Sequence, residues 1–476
     1  MLPTRLIDVS DEGPKLCLSE NIESDACYVA LSHCWGSLDF LTLKKSNINI
    51  FQNQIPDSAL TKTFSDAIHI TQYLGFRYLW IDSLCIIQDD TADWAREAGL
   101  MTGVYGCSAI TIAASSATDG SIGCFFSRPK TWRCQIRAGP NAEQILYDVE
   151  YSHDRINIPL HSRAWVVQER YLSRRILHFY ENEVFWECVQ CCRCETFPNE
   201  SVDRIHTYHF YLYPKRPTRR QWPQIVNYYS QRKLTRNTDK LIAIGGLARL
   251  IHQSSKDEYL GGMWRDKLEM QLCWTSGFED HSVSKTYIAP TWSWASSTTH
   301  VIPAEEDDGR EEPDRLCIEI IEAKVQPAFS DIFGGLTTGV LRLSCEILCK
   351  VTICLGSMHE SAFILDGISH KVYVSLDGLD ELPALGTTKL FDFYLLVVAA
   401  GGDGDRRHPR GLLLEPTGNQ NGHYRRKGMF KDPQYPANPS EFLKIFNNVD
   451  YKLRLCDYVN ATLGDDGATR YVIEIV

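Results

Sequence analysis

Short apolar runs alternate with helical stripes through the first part of the chain. Tyr28 to Ser32 (YVALS) reads as a buried strand. From Leu60 the positions Leu60, Phe64, Ala67, Ile68, Thr71 and Leu74 recur with helical period and stop at Gly75, a residue suited to the left-handed turn that ends a helix. Tyr78 to Ile81 predicts the next strand, which delivers Asp82 at its end. Asp89, Asp90 and Thr91 offer N-cap oxygens to a helix with Trp94, Ala98, Met101 and Tyr105 on its inward face. Ala109 to Ser115 predicts a strand, Arg163 to Leu172 a helix and Ile176 to Tyr180 another strand. Such repeated units imply a parallel sheet with right-handed crossovers and a crevice at its strand ends.

The pattern changes after residue 180. Trp222 to Tyr229, Leu241 to Ile251 and Asp266 to Trp274 have helical character, and Pro303 to Arg315 is an acidic, proline-punctuated loop. From Leu316 onward β-type runs dominate (CIEIIEAKV, VLRLSCEIL, KVYVSL, FYLLVVAA, YVIEIV), separated by Gly- and Asp-rich turns. This predicts an antiparallel sandwich or barrel-like module. The expected organisation is an α/β domain over 1–180, a mainly helical region over 181–300 and a β-rich domain over 301–476.

Composition narrows the functional classes. The 476 residues are 44% hydrophobic and 23% charged, with a formal net charge of -11. A globular protein with no general basic face is expected, so nucleic acid is not the expected partner. The short basic loop Pro214 to Arg220 (PKRPTRR) reads as a solvated connector. No run of eighteen apolar residues and no apolar signal core at the N-terminus occur, so the cytoplasm is the expected compartment and no membrane partner is expected. The seventeen cysteines mostly stand singly in apolar runs and read as reduced packing residues.

Candidate chemistry gathers at the ends of the predicted strands. Asp82 ends one of them, and His33 and Cys34 follow YVALS directly. Adjacent strand residues face opposite sides, which argues against a His33–Cys34 dyad and leaves His33 as an acid/base or ring-contacting residue. Cys188, Cys191, Cys192 and Cys194 (CVQCCRC) have the spacing of a zinc half-site that His206 or His209 would have to complete. Coincidental cysteines are the preferred reading, and no metal is expected.

Three ordered blocks, YVALSHCWG (28–36), LWIDSLCIIQDD with DWAREAGLMTGVY (79–105) and RAWVVQERYLSRRILHF (163–179), resemble the fungal heterokaryon-incompatibility (HET) domain. YLGGMWRDKLEMQLCW (259–274), YIAPTWSWAS (287–296), GLLLEP (411–416) and YRRKGMF (424–430) resemble the C-terminal half of stand-alone HET proteins. The resemblance implies a flavodoxin-like parallel sheet similar to Toll/interleukin-receptor (TIR) domains, whose enzymatic members cleave nicotinamide from NAD. In those domains a helix bearing a Trp and, four residues later, a Glu supplies the catalytic carboxylate. Trp165 and Glu169 have that spacing here, one helical turn apart.

On this resemblance Glu169, His33 and Asp82 are the catalytic candidates. Ser32, Trp35, Trp165, Gln168, Arg163 and Cys85 are the candidates for substrate binding. Glu169 would stabilise oxocarbenium character, and Asp82 or Ser32 would hold ribose hydroxyls. In the purely structural alternative, Trp165 is core, Glu169 pairs with Arg163 or Arg170, and Asp82 caps a turn.

At the level of the whole protein, the implied role is nonself recognition and regulated cell death, with NAD as a substrate rather than a cofactor. A small-molecule ligand and self-association are the expected partners. Two alternatives stay open: a cofactor-independent pericyclase or isomerase of secondary-metabolite biosynthesis, and a non-catalytic signalling scaffold.

Overall fold

The computed structural model describes the whole chain except residues 11, 129–132, 138–142, 148–157, 197, 200–216, 278–285, 305–314, 357–360, 366, 378–386, 401–407, 433–438, 448–456 and 465–468. His206, His209 and most of the expected Pro303 to Arg315 loop lie outside the described residues, as do Pro214 to Arg216 of the basic connector. The chain forms two compact units, Met1–Arg216 and Pro217–Val476.

In the first unit the elements run β1 (Arg5–Asp8), β2 (Lys15–Leu18), β3 (Tyr28–Ser32), α1 (Ile48–Asn53), α2 (Lys62–Tyr73), β4 (Tyr78–Trp80), α3 (Asp82–Cys85), α4 (Thr91–Cys107), β5 (Ile110–Ala113), β6 (Arg133–Arg137), β7 (Glu143–Tyr147), α5 (Ala164–Leu172), β8 (Arg175–Phe179), β9 (Val184–Cys188) and β10 (Cys192–Cys194). Eight strands form one sheet in the order β10-β9-β8-β5-β3-β4-β1-β2. Its centre is parallel: β3 pairs with β4 and β5, and β5 with β8. Antiparallel strands flank it on both sides. The chain moves from β3 to β4 on one side and then to β5 on the other. The strand order therefore reverses at β3, and the carboxyl ends of β3 and β5 are where such a sheet is expected to place its site.

Local chemistry explains the helix boundaries. Thr61 caps α2 by accepting from the Phe64 N–H, and Gly75 follows the helix with φ +78°, a conformation that a side chain would penalise. Asp90 caps α4, accepting from the N–H groups of Ala92 and Asp93. On α4 the expected Ala98, Met101 and Tyr105 are buried and Trp94 is half-buried. Asp93 and Glu97 are buried beside them, which an apolar stripe does not foretell. The α4 helix is tied to β3 by hydrogen bonds from the Tyr28 hydroxyl to the Val104 carbonyl (2.5 Å) and from the Tyr105 hydroxyl to the Leu31 carbonyl (3.2 Å).

The second unit begins with α6 (Trp222–Ser230), α7 (Ile242–Ser255), β11 (Tyr259–Leu260), β12 (Met263–Trp264), α8 (Leu268–Gln271), β13 (Thr275–Ser276) and β14 (Val301–Ile302). The helical content of this region is modest, because the helix expected over Asp266 to Trp274 contracts to α8 and short strand pairs surround it. Strands β9 and β10, which fall within the span 181–300 expected to be mainly helical, belong to the first unit's sheet. In the second unit tryptophans take the place of regular structure. Trp222 and Trp294 both donate to the Gly262 carbonyl, at 2.8 and 2.6 Å, and Trp274 donates to the Trp292 carbonyl at 3.1 Å.

The β-rich remainder is β15 (Ile318–Pro327), β16 (Leu336–Cys345), β17 (Leu348–Gly356), β18 (Ser361–Leu365), β19 (Ile368–Lys371), β20 (Tyr373–Leu376), β21 (Thr388–Ala399), β22 (Arg410–Pro416), β23 (His423–Lys431), α9 (Pro439–Asn447), β24 (Asn460–Leu463) and β25 (Thr469–Ile475). Its eleven strands form one mainly antiparallel sheet, with a parallel contact between β23 and β25. Ile353, Phe363, Leu395, Val397, Leu413 and Phe430 lie at the centre of its core.

Candidate functional site

Six of the nine candidate residues converge at the carboxyl ends of the parallel strands. Ser32 closes β3 and is buried, and its hydroxyl donates to Oε2 of Glu169, on α5, over 2.5 Å. His33 follows, with Nε2 3.0 Å from Oδ1 of Asp82 and Nδ1 3.2 Å from the Cys34 carbonyl. Both ring nitrogens thus face acceptors. Trp35 donates from Nε1 to the other Asp82 oxygen over 2.8 Å. Arg163, the N-cap residue of α5, donates to the His33 carbonyl.

The two carboxylates of this cluster are driven in opposite directions. Burial acts on both. At Asp82 it is outweighed by the His33 charge and hydrogen bond, by the charge of Arg163 and by the Trp35 donor, so its pKa lies below the ordinary value. At Glu169 burial wins over the Ser32 hydrogen bond and the Arg163 charge, and the Asp82 charge adds to it, so its pKa is raised. Two nearby acids with separated protonation ranges can divide labour, one fixed as an anion and one able to exchange a proton.

Asp82 opens α3 and does not end a strand; β4 stops at Trp80. At the head of that helix its Oδ1 also accepts the Ser83 N–H at 2.7 Å. Aromatic edges wall His33, with the Phe64 ring 5.1 Å and the Phe40 ring 6.4 Å away between centroids. Trp35 meets Phe40 edge-on at 5.4 Å.

The other three candidates point elsewhere. Trp165 meets Trp94 of α4 edge-on at 6.3 Å. Gln168 is buried with its amide 3.8 Å from the Met101 sulfur. Cys85 is buried, its thiol pushed up to about 12 by burial, and its carbonyl accepts Arg5 at 2.7 Å. Burial likewise pushes the Cys34 thiol up to about 11, and neither thiol is prepared as a nucleophile.

A second polar group adjoins the first. Glu187 of β9 accepts from Arg170 Nε at 2.9 Å and lies 3.0 Å from His178 Nε2, while His178 Nδ1 is 3.2 Å from the Ser115 hydroxyl. All four residues are buried. A cavity of about 10 Å³, with room for roughly one water, touches both groups through Ser32, Glu169, Arg170 and His178. The inward acid on an otherwise apolar strand, Glu187 in VFWEC beside the buried Phe185, is the sequence signal that points to this network. Among the described residues no group of three or more His, Cys, Asp or Glu is placed to hold a metal ion. No helix among them is long and apolar enough to cross a membrane.

Comparison with known proteins gives one match. The family model described as Heterokaryon incompatibility protein (HET) matches residues 28–169, a span that runs from the first residue of β3 to Glu169 and encloses the whole convergent cluster. No curated protein and no solved structure matches the chain. Residues 28–169 of the chain therefore form a heterokaryon incompatibility (HET) domain.

Proposed function

We propose that this HET protein acts in fungal nonself recognition and regulated cell death, and that the crevice at the ends of β3 and β5 binds NAD and hydrolyses its nicotinamide N-glycosidic bond. The observation that carries the proposal is the buried Glu169 carboxylate held by Ser32 at the point where the strand order reverses. The order of the four parallel strands, β4-β3-β5-β8, supports the TIR-like reading of the domain.

The chemistry asks little of the protein. As the carbon–nitrogen bond breaks, its electron pair passes to the positively charged nicotinamide ring, and positive charge builds on the ribose. Ionised Glu169 stabilises that charge. Water then adds at the anomeric carbon and gives up its proton to Glu169. Asp82, kept anionic by His33, accepts from ribose hydroxyls, and Ser32 and Arg163 fix the geometry around Glu169. The charged groups Glu169, Asp82 and Arg163 favour a dinucleotide over a wholly apolar substrate.

The test is release of nicotinamide from NAD by the purified full chain. Release by the wild type, lost in Glu169→Ala, supports the proposal. Absence of release from the folded wild type, or equal release by both proteins, overturns it. Toxicity on overexpression that persists in Glu169→Ala supports the scaffold reading.

A further inference from the structure

Strands β9 and β10 form a hairpin closed by Cys188 and Cys191. The Cys188 N–H donates to the Cys191 carbonyl at 3.0 Å, and the register continues as Glu187 opposite Cys192. The exposed tip between them is Val189–Gln190, with Val189 65% exposed. The two sulfur atoms lie 3.8 Å apart, and both residues are half-buried. Cys192 and Cys194, at alternate positions of β10, turn inward and pack with Phe185. Strand alternation thus sorts the CVQCCRC run into one accessible pair and one core pair. This corrects the sequence expectation that the cysteines are packing residues: Cys192 and Cys194 are, whereas Cys188 and Cys191 are not.

We propose that Cys188 and Cys191 form a redox-active dithiol, which a low-molecular-weight disulfide such as oxidised glutathione converts reversibly into an intramolecular disulfide across the hairpin. Directly opposed, hydrogen-bonded residues of an antiparallel pair have Cα atoms about 5.5 Å apart, inside the range that a disulfide spans. The sulfur atoms already face each other at 3.8 Å and have to close to the length of an S–S bond; no other cysteine is involved.

The exchange balances without a metal. The Cys188 thiolate attacks one sulfur of the oxidised glutathione, the glutathione S–S bond breaks, and one glutathione thiolate leaves and takes up the proton that Cys188 lost. Cys191 then gives up its proton and attacks the Cys188 sulfur of the mixed disulfide, displacing the second glutathione. Two protein thiols are oxidised and one glutathione disulfide is reduced to two thiols. The environment assigns the order of attack. Burial opposes ionisation of Cys188, yet the backbone N–H groups of Gln190 and Cys191, with the Trp186 and Cys191 side chains, hold its pKa below that of an ordinary thiol; Cys191 is raised, by burial first and then by Cys188. A staple beside the exposed hairpin tip is open to reduction again.

The experiment equilibrates the full chain with mixtures of reduced and oxidised glutathione, blocks free thiols with a maleimide and maps every cysteine by peptide mass. Cys188 and Cys191 should escape the maleimide together, in a peptide lighter by two hydrogens, and should recover fully on reduction. In Cys191→Ser, Cys188 should accumulate as a mixed disulfide carrying one glutathione. In Cys188→Ser, Cys191 should acquire glutathione about tenfold more slowly at neutral pH. Full maleimide labelling of both residues at every glutathione ratio, or no mixed disulfide on Cys188 in Cys191→Ser, would overturn the proposal. So would pairing of Cys188 with Cys192.

Discussion

The Ser32 hydroxyl donates to the Glu169 carboxylate over 2.5 Å although the two residues stand 137 positions apart. Each is delivered by a separate element, Ser32 by the last residue of β3 and Glu169 by the middle of α5. The hydrogen bond and the Arg163 charge both favour the anion, but they do not offset the loss of water around it. Glu169 therefore sits at a site where ionisation stays disfavoured until further positive charge arrives. A transition state with a cationic ribose would supply that charge.

Glu169→Gln separates the chemical role from the structural one. The amide keeps an oxygen that accepts from Ser32 but loses the negative charge, so nicotinamide release should fall roughly a hundredfold or more. Because the raised pKa means that the folded state resists ionising this group, folding stability is lost as pH rises through the folded-state value. The variant should thus be at least as stable as the wild type at neutral pH. Product chromatography reads the first effect and thermal unfolding the second; a fall in activity accompanied by a large loss of stability would assign Glu169 a structural role instead.

Ser32→Ala should move the acid limb of the pH–rate profile. Activity that needs ionised Glu169 is lost as pH falls through its pKa, and removing the Ser32 donor raises that value further. The acid limb of kcat/KM for nicotinamide release should therefore shift to higher pH, with a stability cost of about 1–3 kcal/mol for the lost hydrogen bond. An unshifted limb would show that another group sets the profile.

Sequence patterns made the elements of this cluster legible but not its pairings. The apolar run YVALS, the Gly75 stop and the Asp90 cap all have local causes, and they place the ends of β3 and α2 and the start of α4. The Ser32–Glu169 contact has no local signature, since it depends on which strand neighbours which. Helical spacing set Trp165 and Glu169 on one face, but the indole found Trp94 on α4 instead. The Glu187 network has one trace in the sequence, the acid inside VFWEC, which periodicity alone passes over because a single polar residue does not alter the period of a strand.

The buried ion pair of Arg5 and Asp93 should control the loop that carries Asp82. Arg5 on β1 binds Asp93 on α4 through two nitrogens, and its Nη1 also reaches the Cys85 carbonyl at 2.7 Å; Asp93 in turn accepts the Ile87 N–H at 2.8 Å. Removing Asp93 strands the Arg5 charge in the interior, whereas Asp93 also pairs with the largely exposed Arg96. Asp93→Ala should cost about 3–5 kcal/mol, whereas Arg5→Met together with Asp93→Leu should cost much less. Urea midpoints at unchanged slope measure the difference, and equal losses in the single and double variants would refute the assignment.

Lys240 provides a pH-dependent test of the second unit. Its ammonium is buried, donates to the Ser297 carbonyl and lies 5.4 Å from the centre of the Trp294 ring. Burial lowers its pKa from 10.5 to about 7. Between those values the unfolded chain binds a proton that the folded chain releases, so this group makes folding more favourable as pH rises from 7 toward 10.5. Buried thiols such as Cys317, raised by burial from 9.0 to about 12, act in the opposite sense above pH 9. The quantity to measure is accordingly the stability of the wild type minus that of Lys240→Met, in which the thiols cancel. That difference should climb by on the order of a few kcal/mol between pH 7 and 10. A flat difference would mean that Lys240 keeps its proton in the folded state throughout, with the Ser297 carbonyl and the Trp294 ring together compensating its loss of water.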